Sequence, residues 1–164
     1  MACEVTIYTD GAASGNPGPG GYGVVLISGQ HRREISEGYN HTTNNRMELL
    51  AVIAGLEALK KSSCSVVIYT DSRYVADAVD KGWVFQWESK NFKKKKNRDL
   101  WIRFLIVFRK HNVRILWIKG HADNEENNLC DKLAVEAYSI KTGLKNDIGY
   151  ITEAESGMLF DENN

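Results

Sequence analysis

The sequence predicts a single α/β domain with the element order βββαβαβα, and three observations carry that expectation. First, the run Val5-Thr6-Ile7-Tyr8-Thr9-Asp10-Gly11 recurs almost letter for letter as Val67-Ile68-Tyr69-Thr70-Asp71-Ser72. Second, both runs are short, β-branched and aromatic, and closed by a turn or helix-start residue, the pattern of strands covered on both faces. Third, helix-forming segments follow both runs, as they do where parallel strands are joined by crossovers. A chain of 164 residues is also the size of one domain that closes its own core.

In chain order, the first strand ends at Asp10. Gly11 to Gly21, which holds five glycines and two prolines, reads as a tight loop, because Gly and Pro disfavour both helix and interior strand. Tyr22 to Ile27 and His31 to Tyr39 read as antiparallel strands joined around Gly29, completing a three-stranded meander. His41 to Arg46 supplies capping residues, and Met47 to Leu59 is a helix apolar on nearly every side, hence buried. The repeated strand, Ser65 to Thr70, leads through Asp71 into a helix from about Ser72 to Lys81. Gly82 to Trp87 gives way to a lysine run in which Phe92 is embedded, a mixture of bases and aromatics suited to a phosphate backbone and to stacking, or to a plain solvated loop. Asp99 to Lys110 is an amphipathic helix, Val113 to Lys119 the last strand, and Leu129 to Tyr138 the last helix, with Leu133, Ala134 and Ala137 facing inward.

If the two repeated strands lie side by side and parallel, Asp10 and Asp71 stand about one strand spacing apart, roughly 4.8 Å. Two anions at that distance repel unless a cation lies between them, and the carboxyl ends of strands in open α/β sheets are where ligands bind. Each acid also has an ordinary reading. Asp10 could open a turn, Asp71 could cap the next helix, and Glu48 and Asp131 could serve helix dipoles near helix starts.

Formal net charge is zero, but the charge is polarised. Between Glu88 and Arg98 six bases face one acid, whereas beyond Asp147 there are only acids, Glu153, Glu155, Asp161 and Glu162. Such a chain can steer a polyanion to one face. No apolar run has the length of about 20 residues needed to span a membrane, and the N-terminus lacks the pattern of a secretory leader. Cys3, Cys64 and Cys130 have neither metal-ligand nor paired spacing, so free thiols in a reducing cytoplasm are expected. The chain is expected to divide into a catalytic domain, residues 1–145, and a C-terminal tail, residues 146–164, that is loosely held or partly disordered.

Four carboxylates, Asp10, Glu48, Asp71 and Asp131, could thus gather at one rim of the sheet. With them in order stand Thr9-Asp10-Gly11, the stretch Gly15-Asn16-Pro17-Gly18-Pro19-Gly20-Gly21-Tyr22-Gly23, Thr42-Thr43-Asn44-Asn45-Arg46-Met47-Glu48-Leu49, Thr70-Asp71-Ser72 and Lys119-Gly120-His121-Ala122. These segments resemble the motifs of type 1 ribonuclease H of the bacterial kind, and the resemblance covers nearly all of residues 4 to 150. It implies a ribonuclease H-like fold with a five-stranded mixed sheet of order 3-2-1-4-5. It also implies endonucleolytic hydrolysis of the RNA strand of RNA/DNA hybrids, leaving 3′-hydroxyl and 5′-phosphate ends. The resemblance further implies that Asp10, Glu48, Asp71 and Asp131 hold two Mg²⁺ ions, with Mn²⁺ as the alternative, and that His121 assists proton transfer or product release. Asn16, Asn44, Asn45 and Glu48 match positions that meet the RNA minor-groove edge and its 2′-hydroxyls. Thr43 and Asn97 match a pocket for a DNA-strand phosphate, Trp83 an aromatic that packs on DNA sugars, and Lys93, Lys94, Lys95 and Lys96 a basic protrusion.

The chain departs from that pattern at Arg73, where many bacterial relatives carry Gln beside the second Asp, and at His41, where they often have Arg. Its basic protrusion is also shorter. Arg73 is kept as a substrate contact on account of its position. The expected protein is a cytoplasmic monomer acting on hybrids, with no membrane association. A catalytically inactive nucleic-acid-binding module of the same fold is the alternative, opposed by the presence of all four acids. A dinucleotide-binding domain using Gly15 to Gly23 is a second, opposed by the strand pattern that follows that loop where a helix would be required.

Overall fold

The computed structural model describes residues 3–120, 123–140 and 142–157. Five strands and six helices follow in the order β1 (Glu4–Ala13), β2 (Gly18–Ser28), β3 (His31–Thr42), α1 (Asn44–Glu57), β4 (Ser65–Thr70), α2 (Arg73–Asp80), α3 (Trp83–Ser89), α4 (Arg98–Phe108), β5 (Asn112–Trp117), α5 (Glu125–Ser139) and α6 (Ile148–Glu155). The strands form one sheet of order β3-β2-β1-β4-β5, as expected. The first three make an antiparallel meander, while β1 pairs parallel with β4 and β4 with β5. Helix α1 packs on β1 and β2 and is backed by α4, and α5 packs on β1, β2 and β3. The alternating strand residues Val5 and Ile7, Val24 and Leu26, and Val66 and Ile68 close one core with α1 and α4. Almost every residue of α1 from Arg46 to Leu56 is buried, as its all-round apolar pattern requires.

The structure corrects the sequence reading in four places. The Gly-rich segment is mostly strand, not loop. Gly11, Ala12 and Ala13 pair with Tyr22, Gly21 and Gly20, leaving a short turn after Ala13. The reason is steric: a Cβ on Gly21 would stand 2.6 Å from the carbonyl oxygen of Ala134, so the bare backbone of β2 is what lets α5 settle onto the sheet.

Second, Cys3 and Cys64 form a disulfide, and Cys130 is the free, buried thiol. The parallel register pairs Glu4 with Ser65, so the residues just before them become neighbours, with Cα atoms 4.6 Å apart. Third, Trp83–Ser89 is a helix, and Phe92 belongs to the core instead of standing outward among the lysines.

Fourth, the tail contains a docked helix, α6, which its weak periodicity does not announce. Asp147 caps α6 by accepting from the Tyr150 N–H, and Tyr150 and Glu153 are buried. What anchors this segment is Arg46, which is 1 % exposed. Its guanidinium donates to both oxygens of Asp147 at 2.7 and 2.9 Å and to both of Asp99 at 2.8 and 2.7 Å. Residues 158–164, where the loosest part of the tail is expected, lie outside the described residues.

Candidate active site

Asp10, Glu48 and Asp71 offer carboxylate oxygens that all lie within 4.8 Å of one another. The close approach follows from two features of the backbone. Strands β1 and β4 run in parallel register up to the pair Tyr8 and Tyr69, which carries Asp10 and Asp71 to the same sheet end. Helix α1 then passes against β1 at Gly11, where a Cβ would stand 2.4 Å from the backbone of Met47 and Glu48. Only glycine permits that contact, and it brings Glu48 beside Asp10. The Gly11 N–H donates to Glu48 Oε1 and, at 2.9 Å, to Asp10 Oδ1.

The ordinary readings of these acids do not describe their surroundings. Asp10 lies within β1 and not at a turn. The cap of α2 is Ser72, whose hydroxyl accepts from the Val75 N–H, so Asp71 is not needed there. Thr43 caps α1, and the first turn of that helix contains no acid, so Glu48 stands beyond it. In α5 the dipole is served by Glu125 and Glu126, and Asn124 is the cap. Asp131, farther along α5, is outside the tight trio, yet its charge acts on Asp10.

Clustering changes the acidity of the group. Burial, followed by the charges of Asp71 and Asp131, pushes the Asp10 carboxyl up to about 7, although hydrogen bonds with Glu48 and the Gly11 N–H pull the other way. Burial and the neighbouring Asp10 likewise hold Glu48 well above the usual carboxylate range. A mutually repelling trio of hard oxygen donors, two of them buried, fits a divalent cation such as Mg²⁺, which takes carboxylate oxygens while retaining water.

A second feature lies beside this centre. A cavity of about 310 Å³ is lined by Asn16, Pro17, Thr43, Asn45, Lys96, Asn97 and Tyr150. It brings together five of the residues picked from the sequence. Asn44 stands at its edge, with its N–H donating to Asn16 Oδ1 at 3.0 Å and its own Oδ1 accepting from Ala13.

The other candidates are more scattered. Lys93 and Lys94 are exposed, while Lys95 turns back and places its Nζ 5.3 Å from the centre of the Trp87 ring. Trp83 is exposed at the start of α3, with the Lys81 ammonium 5.0 Å from its ring centre. Arg73 lies 3.9 Å over the Trp117 ring, and the Trp117 indole N–H donates to the Asp71 carbonyl oxygen at 3.0 Å. His121 lies outside the described residues.

Sequence reasoning missed Tyr150, Glu153, Trp117 and the Arg46 ion pairs. An Asp147 followed three residues later by Tyr150, with apolar residues around it, was a helix-start signal that could have located α6.

A family model described as RNase H matches residues 2–139. The ribonuclease H of Syntrophus aciditrophicus is 53% identical over 152 residues, 90% of this chain and 87% of the relative. The ribonuclease HI of Synechocystis is 53% identical over 141 residues, 82% of this chain and 88% of the relative. Among solved structures, LC9-RNase H1, a type 1 RNase H with the type 2 active-site motif, is similar with a TM-score of 0.78 at 30% identity, covering 98% of this chain and 85% of that one. LC11-RNase H1 in complex with an RNA/DNA hybrid is similar with a TM-score of 0.65 at 26% identity, covering 82% and 96%.

Proposed function

This chain belongs to the ribonuclease H family and is an endonuclease of the RNA strand of RNA/DNA hybrids, and from that premise we propose how its residues divide the work. Asp10, Glu48, Asp71 and Asp131 hold two divalent cations, Mg²⁺ with Mn²⁺ as the alternative. The observation that carries this reading is the convergence of three carboxylates within 4.8 Å, two of them buried. When bound, a pair of cations supplies positive charge to both the attacking and the leaving oxygens of an in-line phosphodiester displacement.

The protein's own residues account for substrate choice. Along the cut strand only the 2′-hydroxyl distinguishes RNA from DNA, so the minor-groove edge is where selection acts. Asn16, Asn44, Asn45 and Glu48 face that edge, and the hydrogen bonds from Asn44 to Asn16 and from Ala13 to Asn44 hold the first two in fixed relation. The cavity containing Thr43, Asn97, Asn16 and Lys96 receives one phosphate of the DNA strand. Trp83 packs on DNA sugars beyond it, and Lys93 to Lys96 supply backbone charge. Arg73, held over Trp117 beside Asp71, meets the hybrid next to the cut. His121 transfers a proton to or from the reacting oxygens, work that suits the ordinary acidity of an imidazole.

The catalytic unit extends past residue 145 to include α6, because Tyr150 lines the phosphate cavity. The protein works as a cytoplasmic monomer. Among the described residues no helix is long and apolar enough to cross a membrane. The test is cleavage of an end-labelled hybrid with Mg²⁺, with Mn²⁺ and with EDTA, beside duplex RNA and duplex DNA. The expected result is internal cutting of the RNA strand of the hybrid alone, dependent on the added cation. Equal cutting of duplex RNA, or cutting in EDTA, would overturn the assignment.

A further inference from the structure

We propose that Glu153, on the C-terminal helix, is a positioning residue that shapes the DNA-strand phosphate pocket by holding the backbone of Asn97. This rests on the reading of the Thr43–Asn97 cavity as a phosphate pocket. Asn97 precedes α4 with φ 63 and ψ 28, the left-handed region, and its side chain provides no cap. The N-terminal amides of α4 therefore lack the usual partner. Glu153 takes that place from 56 residues away: its Oε1 accepts from the N–H of Asn97 at 2.5 Å and from that of Arg98 at 3.3 Å.

Two observations argue that more than helix capping is involved. Glu153 is only 8 % exposed, and its second oxygen, Oε2, has no hydrogen-bond partner among the described residues. A buried, half-satisfied carboxylate costs free energy, whereas a Ser or Asp at the cap position would serve α4 from the surface. The left-handed backbone of Asn97 is a conformation that Asn tolerates better than most L residues, and here the Glu153 carboxylate holds it from behind.

What this expensive arrangement fixes is the direction of Asn97. Its Nδ2 donates to the Tyr74 hydroxyl at 2.9 Å, and its Oδ1 accepts from Arg46 at 3.3 Å. With side chain and backbone both clamped, Asn97 and its neighbour Lys96 form one wall of the cavity opposite Asn16 and Thr43. Tyr150 contributes to the lining from the same helix as Glu153, one turn earlier. The C-terminal helix thus sets the shape of a pocket whose named polar groups come from distant parts of the chain.

The geometry separates binding from chemistry. The pocket does not include Asp10, Glu48 or Asp71. Loss of the Glu153 acceptor oxygen at that reach should therefore raise KM for hybrid and leave kcat nearly unchanged. A general loss of stability would not produce that split.

The experiment compares wild type with Glu153→Ala, Glu153→Asp and Glu153→Gln in steady-state cleavage of a short hybrid. Its second arm measures the binding of hybrids in which one DNA-strand phosphate at a time is replaced by an uncharged methylphosphonate. Glu153→Ala and Glu153→Asp should raise KM about tenfold with kcat within about twofold, the order expected for one weakened charged contact. Glu153→Gln keeps an acceptor oxygen at the same reach and should restore most of the affinity. If Glu153→Ala fails to fold, the contrast between Asp and Gln still decides the matter.

In wild type, one methylphosphonate position should weaken binding more than the rest, and in Glu153→Asp that position should lose its distinction. A peaked profile that stays equally peaked in Glu153→Asp, with KM unchanged, overturns the role of Glu153 while leaving the pocket in place. A flat profile in wild type removes the phosphate pocket and the inference with it.

Discussion

Replacing Asp10 by Asn should abolish cleavage and at the same time stabilise the metal-free protein, a combination that a structural aspartate would not show. In the folded, metal-free chain Asp10 keeps its proton up to about pH 7, against an ordinary value of 3.8. Folding therefore takes up a proton between those two values, and stability falls as pH rises through that window. At about 1.4 kcal/mol for each tenfold change in acidity, the full difference corresponds to about 4 kcal/mol above pH 7. Asn would recover only part of it. Its amide is still desolvated, and Glu48, itself held well above the usual carboxylate range, remains beside it. We expect a gain of about 1–2 kcal/mol at pH 8 in EDTA, vanishing below about pH 4 where both side chains are neutral. The Asn Oδ1 keeps the bond from the Gly11 N–H, so that contact is not lost. Urea melts of both proteins at pH 4, 6 and 8, in EDTA and in Mg²⁺, measure this, with hybrid cleavage and hybrid binding run alongside. Mg²⁺ should stabilise the wild type and do much less for the variant, and binding should survive because the phosphate and 2′-hydroxyl contacts lie elsewhere. A variant that is less stable than wild type in EDTA at pH 8, or that still cuts hybrid, would falsify the cation-holding role of Asp10.

Three further outcomes are expected. Replacing Lys93 to Lys96 with Ala should weaken hybrid binding with turnover at saturation nearly unchanged, and flatten the log-log salt dependence by about 0.7 to 0.9 per lost phosphate contact; an unaltered slope would remove these lysines from the interface. His121→Ala should lower single-turnover cleavage by about 10²-fold across pH 6 to 9 without abolishing it, and either no effect or complete loss would contradict an assisting role. Reducing the Cys3–Cys64 bridge, which closes a loop of 61 residues' separation, should cost up to about 4 kcal/mol in urea melts while leaving kcat intact; equal stability with and without reductant would show that the bridge contributes nothing.

How much of this was legible in the sequence depended on the range of the interaction that determines each feature. The strand of Val5 to Thr9 and its repeat at Val67 to Thr70 carry their own signal, since β-branched and aromatic residues mark a covered strand without reference to anything distant. Their shared terminal acid therefore located Asp10 and Asp71 correctly at one end of the sheet. Glu48 and Asp131 each had an equally good local explanation, which lost its ground only with Thr43 and Asn124 in the capping positions; Glu48 then stands in the close trio, and Asp131 outside it.

The Gly-rich start of β2 was misread because its low intrinsic strand preference is local, whereas its advantage, room for α5, is tertiary. The disulfide was missed for the same reason: Cys3 and Cys64 become neighbours only through the parallel register of β1 and β4.

The C-terminal helix is the most instructive case. Residues 146–157 have too little apolar periodicity to predict a docked helix, and what docks them is mostly charge. Arg46 reaches Asp147 across 101 residues, and Glu153 reaches Asn97 across 56. Long-range contacts of this kind leave no periodic trace, and buried ion pairs such as Arg46–Asp147 are seldom a cheap route to stability, because desolvation offsets much of their attraction. Their usual advantage is geometric, since charged partners that are buried must meet in one arrangement or pay heavily. The same Arg46 guanidinium that holds Asp147 also touches Asn97, and Arg46 lies two residues from Glu48 in a helix whose first turn lines the cavity of Thr43 and Asn97. The buried charges thus tie the acid cluster, that cavity and the C-terminal helix to one residue of α1, so the spacing between cluster and cavity is set by a helix and not by a loop.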